Sequence, residues 1–341
     1  MAVPLWADFR SDACSIPSPA MRRAMADAEV GNDDFREDPT IRRCEDQVAV
    51  LLGKPAALFV QSGTMGNLVA LMTHLDRGDC ILTSQNFHIA YWEGDAVHRV
   101  VGAEFEFLSD TTHGAWTTIE NWPTQRGANR LLCLETPVNR LGGTLLPLNH
   151  LHDLRQRAEA WGIPTHMDGA RFFNASCAME VEPAVLAACS DSVSVSFNKA
   201  LGAPAGAALV ASSEFIERAR RFRWMLGGAW KQGGVLAAAC LAGLRSIPER
   251  IAEDHRLARQ LAEGLQSIPG VSVDLEQVVT NLVFVRVVDP AVDLTVLQQT
   301  LRDHGVAIGR FKENRVSRLV THQDVNRESI QRFIELFKRV L

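Results

Sequence analysis

The chain has 341 residues, of which 47% are hydrophobic and 22% charged, and a net charge of −5. This is an ordinary globular composition with apolar residues enough for a large core, and its length suggests two or three domains. The mild acidic balance, with no basic block interleaved with aromatics, gives no footprint for nucleic acid. In chain order, "DFRSDACSIPSPAMRRAM" reads as an extended arm running into a helix near Pro19. "PTIRRCEDQVAVLLG" has helical apolar spacing, Pro at its start and Gly at its stop. "AALFVQSG" is a short strand ending in a turn, and "TMGNLVALMTHL" is the helix after it. "DCILTS", "EFEFLS", "RLLCLET", "PTHMD", "SVSVSF" and "GAALVAS" are further strands, with the amphipathic helix "HLHDLRQRAEAWG" between two of them. Strands alternating with helices predict an α/β unit built on a mainly parallel seven-stranded sheet. A helical stretch from about Gly233 to Ile268, broken or kinked at Pro248, leads to "VSVDLE", "NLVFVRVV", "DLTVLQQTLRDHG", "SRLVTH" and "RESIQRFIELFKRVL". These read as a smaller α+β unit. The expected division is an arm over 1–19, a large domain over 20–242 and a small carboxyl-terminal domain over 243–341.

No basic-then-apolar leader precedes "MAVPLWADFRSD", and the uncharged run "GGVLAAACLAGL" is too short to cross a bilayer. A cytoplasmic protein without membrane contact is expected. The seven cysteines are scattered, odd in number and lack CxxC, which suits buried thiols in a reducing compartment. Among ten histidines there is no HExxH, so no metal site is expected.

The chemistry-bearing residues stand at strand ends. Lys199 is the lone charge in "SVSVSFNKALGAPAGAALVAS" and precedes a Gly/Pro break, where α/β sheets open onto ligands. Most lysines are solvated surface groups. A desolvated one loses basicity and becomes fit to form a Schiff base. Asp168 ends the apolar strand of "IPTHMDGARFF"; Asp-Gly is commonly only a turn, but a buried strand-end carboxylate can also partner a protonated pyridine nitrogen. Ser62, Gly63 and Thr64 turn a strand into a helix, and free amides plus two hydroxyls there make a phosphate cradle. His88 can stack on a ring or act as a base, and Arg171 and Arg318 can clamp a carboxylate. Taken singly, a core histidine and surface arginines are the commoner readings.

The set resembles the L-threonine aldolase family, within the aldolase and β-eliminating lyase group of fold-type I pyridoxal phosphate enzymes. The resemblance runs from about Asp8 to about Arg327 through "DFRSD", "EVGNDDFREDPT", "ALFVQSGTMGNLVAL", "HMDGARFFNA", "SFNKALGAPAG", "RWMLGGAWKQGGVLAAA" and "SRLVTHQDV". It implies pyridoxal 5'-phosphate bound covalently by Lys199, with Asp168 at the pyridine nitrogen and His88 stacked on the ring. It implies the phosphate on Ser62, Gly63 and Thr64, with Lys231 in the place of an arginine that reaches the phosphate from a neighbouring subunit. Ser11, Arg171 and Arg318 would hold the substrate carboxylate. A homotetramer with active sites at a dimer interface is implied as well.

Three departures touch the substrate side. "ETPVNRLGG" puts Val138 where the family has a histidine that handles the β-hydroxyl; Phe35-Arg36 replaces tyrosine-glycine; Ala13 replaces a threonine. Trp92 adds aromatic bulk in the His88 loop. The leading expectation is an aldolase that cleaves β-hydroxy-α-amino acids, with apolar or aromatic side chains, to glycine and an aldehyde. An amino acid racemase or β-eliminating lyase on the same scaffold stands as the alternative. A non-catalytic pyridoxal phosphate binder or a specialised biosynthetic enzyme stands behind both.

Overall fold

The computed structural model describes residues 4–125, 130–245 and 247–341. Strand β1 (Ala7–Asp8) precedes β2 (Ala56–Val60), β3 (Cys80–Ser84), β4 (Glu104–His113), β5 (Trp116–Glu120), β6 (Arg130–Glu135), β7 (Thr165–Gly169), β8 (Ser192–Ser196) and β9 (Ala207–Ala211). Then follow β10 (Val271–Val273), β11 (Leu282–Val287), β12 (Val306–Ala307) and β13 (Val316–Val320). β2 to β9 form one sheet in the order β2-β9-β8-β7-β6-β3-β4-β5. The pairs β3–β4, β3–β6, β6–β7 and β7–β8 are parallel, while β9 runs against both β2 and β8.

The sheet has eight strands, one more than the sequence predicts. β4 runs on past Ser109 to His113, turns through Gly114 at φ +52°, and pairs back with β5. The sequence "WTTIE" alternates as a strand should, but its exposed positions hide it among polar neighbours. β6, β7 and β8 are buried along nearly their whole length, as parallel central strands are.

The predicted helical stretch after Gly233 is two helices, Gly234–Leu244 and Ile247–Gln266. Pro248 falls in the first turn of the second, where its missing N–H costs nothing. The second helix packs on β10 and β11 and on the last helix, Arg327–Val340. A second apolar cluster forms there, and the arm joins it: Ala7 and Phe9 are buried in it, with the Phe9 ring 4.7 Å from that of Phe333. β1 pairs with β12, so the arm is a sheet partner rather than a free leader into the first helix.

Candidate active site

The parallel strands bring their carboxyl ends to one edge of the sheet, where the crevice of an α/β fold lies. Asp168, next to last in β7, stands directly opposite Glu135 of β6 and Ser194 of β8. β8 ends two residues before Asn198-Lys199, and the turn closes through Gly202 N–H to the Lys199 carbonyl at 2.9 Å. Gly206 N–H donates to the Gln61 carbonyl at 2.9 Å, which ties this turn to the start of helix Gly63–His74. Gly206 has φ +109°, and an added Cβ would sit 2.9 Å from the Phe59 ring.

Burial pushes the Lys199 ammonium below its ordinary value, and the nearby Arg171 charge adds to the shift, against pulls from Asp12, Asp168 and Glu135. Asp168 is 4% exposed; its Oδ1 accepts from Ala170 N–H at 3.0 Å and its Oδ2 from Asn67 Nδ2 at 2.9 Å. His88 begins a short helix after β3, with Nδ1 2.9 Å from Glu93 Oε1. A carboxylate only accepts, so Nδ1 carries the hydrogen and, in the neutral ring, Nε2 holds the lone pair. Burial opposes charge on this imidazole, but the Glu93 bond and the Asp168 charge outweigh it and raise its pKa. His88, Glu93 and Asp168 lie close enough to hold an ion. Their carboxylates are already met by N–H donors of His88 and Asn67, which a cation would have to displace.

Arg171 does not present a free fork. Its Nε and Nη2 clamp the buried Asp12 at 2.7 and 2.8 Å, and Asn281 Nδ2 donates to the same carboxylate at 3.0 Å. Burial alone would raise the Asp12 carboxyl, yet the guanidinium beside it holds it well below the usual carboxylate range. The third nitrogen, Nη1, reaches Asn139 Oδ1 at 3.3 Å, which also accepts from Arg318 Nη1 at 2.6 Å. Burial and the Arg171 charge lower the Arg318 pKa to about 10. Two guanidiniums thus converge on one neutral amide with a single carboxylate between them, and the pair is short of one anion. Ser11 caps the turn Asp12–Cys14, its Oγ accepting from Ala13 N–H at 3.2 Å. A cleft of about 420 Å³ opens beside Arg318 and Asn139, bordered by Tyr91, Trp92 and Phe284. Arg140 lies over the Tyr91 ring at 3.7 Å.

The helix Gly63–His74 starts with Ser62 as its cap, Oγ accepting from Met65 N–H at 3.2 Å. The amides of Gly63 and Thr64 have no acceptor inside the helix. An added Cβ on Gly63 would lie 2.6 Å from Ser196 Oγ, so this helix end is seated against β8 beside the Lys199 turn. Amine, strand-end carboxylate and anion cradle share one edge, and this donor set fits pyridoxal phosphate.

Three predicted site residues lie apart from this cluster within the chain, as Lys231 does if it serves a neighbouring subunit. Val138 is 0% exposed and belongs to the main core; its N–H donates to the Thr144 carbonyl at 2.7 Å, so it lines no open pocket. Phe35 is 72% exposed, in the turn Asp33–Phe35 capped by Asn32. The Lys231 side chain is 62% exposed and paired with Asp34. Among the described residues no hydrogen bond or ion pair links Phe35 or Lys231 to Lys199, Asp168 or Arg171. They form one outer patch with each other, Asp33 N–H donating to the Lys231 carbonyl at 2.9 Å. Conversely, Asp12, Asn67, Glu93, Glu135 and Asn139 belong to the site and were not predicted. Glu135 is the clearest loss: its oxygens accept from the backbone N–H of His88 at 2.5 Å and of Asn139 at 2.9 Å. Burial and the Asp168 charge raise its pKa to about 7.

A family model described as beta-eliminating lyase matches residues 8–288. The chain is 36% identical to a low-specificity L-threonine aldolase of Arabidopsis thaliana, covering 98% of this chain and 96% of that protein. It is 33% identical to a low specificity L-threonine aldolase of Escherichia coli, covering 95% and 96%. The fold is shared with a solved threonine aldolase of Leishmania major at a TM-score of 0.76 and 18% identity, covering 98% of this chain and all of that one.

Proposed function

The chain belongs to the beta-eliminating lyase family, and we propose that it is a pyridoxal phosphate-dependent aldolase that cleaves β-hydroxy-α-amino acids to glycine and an aldehyde. The observation that carries this reading is the shared sheet edge: Lys199 feels the charges of Asp168 and Arg171, His88 feels that of Asp168, and Arg318 feels that of Arg171. Bound there, the cofactor supplies a conjugated ring that draws the electron pair of the bond broken at the substrate α-carbon.

The chain's own residues do the rest. Lys199, with its lowered pKa, is the amine that holds the cofactor. Asp168 is the partner of the ring nitrogen, and Ser62, Gly63 and Thr64 take the phosphate at a helix amino terminus. Arg318 and the Nη1 side of Arg171 supply the missing anion's site, so the substrate carboxylate completes the cluster, with Ser11 at its edge. Fixing the carboxylate selects which α-carbon bond lies across the ring. His88 presents Nε2 as the base for the β-hydroxyl proton, because Glu93 occupies Nδ1. The aromatic border of Tyr91, Trp92 and Phe284 suits aryl or alkyl side chains better than a methyl group alone.

The patch that carries Phe35 and Lys231 lies outside the single-chain site. It serves a neighbouring subunit's site in a homotetramer with active sites at a dimer interface. Among the described residues no helix is long and apolar enough to cross a membrane.

The test is direct. Protein loaded with pyridoxal phosphate is given L-threonine or L-phenylserine, and aldehyde is followed by a coupled reduction. Lys199→Ala is expected to lose turnover and the visible absorbance of the bound cofactor together. Cleavage that survives in Lys199→Ala overturns the reading.

A further inference from the structure

Behind Asp168 runs a line of buried polar side chains that the reaction itself does not use. Asn67 Nδ2 donates to Asp168 Oδ2 at 2.9 Å and lies 3.3 and 3.4 Å from the two Glu93 oxygens. Asn67 Oδ1 lies 3.2 Å from His166 Nε2. His166 Nδ1 is 2.9 Å from Ser192 Oγ, and Ser192 Oγ is 2.8 Å from His74 Nε2. Asn67, His166 and Ser192 are each exposed by 1% or less.

The donor directions in this line are determined. The Asn67 nitrogen is the atom among carboxylate oxygens, which only accept, so the amide cannot be flipped. Its oxygen must then accept, which makes His166 Nε2 the bearer of hydrogen. Burial lowers the His166 pKa to about 4, so the ring is neutral and Nδ1 is an acceptor. Ser192 must therefore donate to Nδ1. Its oxygen receives from His74 Nε2, on a ring whose pKa burial and His166 lower to about 3. Every link donates toward Asp168, and chained bonds of one direction polarise each other.

We propose that Asn67 is a positioning residue shared by both halves of the site, and that His166, Ser192 and His74 hold it in its one working orientation. One amide hydrogen fixes Asp168 for the ring nitrogen; the other fixes Glu93, which fixes the His88 tautomer. The remaining groups facing Asp168 are Cys133 and Glu135 of β6, His88, and Lys199 after β8. None of them is shown donating to its carboxylate, so Asn67 is the side-chain donor that sets the angle of that carboxylate.

The inference rests on the cofactor reading above, and the experiment separates the two. Wild type, Asn67→Leu and Ser192→Ala are loaded with isotope-labelled pyridoxal phosphate. The ring-nitrogen signal is followed by NMR against pH, and cofactor affinity is measured by equilibrium dialysis. Asn67→Leu is expected to release the ring proton at lower pH and to bind the cofactor about tenfold more weakly, the scale of one hydrogen bond to a charged group. Ser192→Ala removes one inner link in a side chain small enough to keep the fold, and is expected to move both readouts the same way by less. His166→Gln, whose amide still donates to Asn67, is expected to match wild type. Wild-type titration and affinity in Ser192→Ala and Asn67→Leu overturn the relay, and a misfolded Asn67→Leu leaves Ser192→Ala to decide. Wild type that takes up no pyridoxal phosphate overturns the cofactor reading instead.

Discussion

At Val138 the resemblance leads one to expect a histidine, and the structure seats a valine in the core. The side chain is fully buried in the main core, and the segment around it is pinned by its bonds to Thr144 and Gly143. Val138→His is expected to cost about 2–3 kcal/mol through a buried ring without partners, and to leave activity on threonine no higher. Urea unfolding alongside aldehyde release checks both; a stable variant with raised threonine cleavage would contradict the placement. Glu135 gives a pH signature. Its pKa is raised by burial from 4.5 to about 7, so the folded chain holds its proton more tightly than the unfolded one. The stability it contributes is present below pH 4.5 and lost as pH rises through about 7. Glu135→Gln is expected to flatten that fall in melting temperature, and an unchanged profile would remove Glu135 as its source. Lys199 and Asp168 were legible in sequence because each is a charge closing an apolar strand. Asp12 and Asn67 were not, because their partners are remote: Arg171 lies 159 residues from Asp12, and Asp168 lies 101 from Asn67. No local spacing encodes such a meeting.

The amino-terminal arm changes its meaning in the folded element. Its sequence reads as a leader to a helix, yet Phe9 completes the second core and Asp12 neutralises Arg171. Phe9→Ala is expected to cost about 3–5 kcal/mol, the range for deleting a buried ring. Asp12→Ala is expected to cost about 3–5 kcal/mol as well, because it leaves a buried guanidinium unpaired. Thermal unfolding measures both, and losses under about 1 kcal/mol would return the arm to the role of a tether. The helices and central strands were legible from periodicity and from Pro and Gly punctuation. β5 was missed because its half-exposed alternation carries little apolar signal, and β1 because two residues carry no period at all.

Over the whole molecule, exposed apolar side chains remain at Phe35, Trp92, Trp224 and Met225. Scattered apolar exposure is ordinary, but Phe35 follows the Lys231 partner Asp34, and Trp224 follows Arg223, which pairs with Asp33 of the same turn, so this face suits burial by another copy of the chain. Sedimentation is expected to give a fourfold multiple of the chain mass, with Trp224→Glu shifting it toward smaller species; a monomer active at every dilution would contradict a site shared between subunits. The central claim is the bond that breaks. Proton NMR of the pyridoxal phosphate-loaded protein in deuterated water, supplied with L-threonine, L-allo-threonine, L-phenylserine, L-serine and L-alanine, decides it. Glycine and an aldehyde are expected to appear together from the β-hydroxy substrates. Exchange at the α-carbon of alanine or serine, with no aldehyde formed, would contradict it.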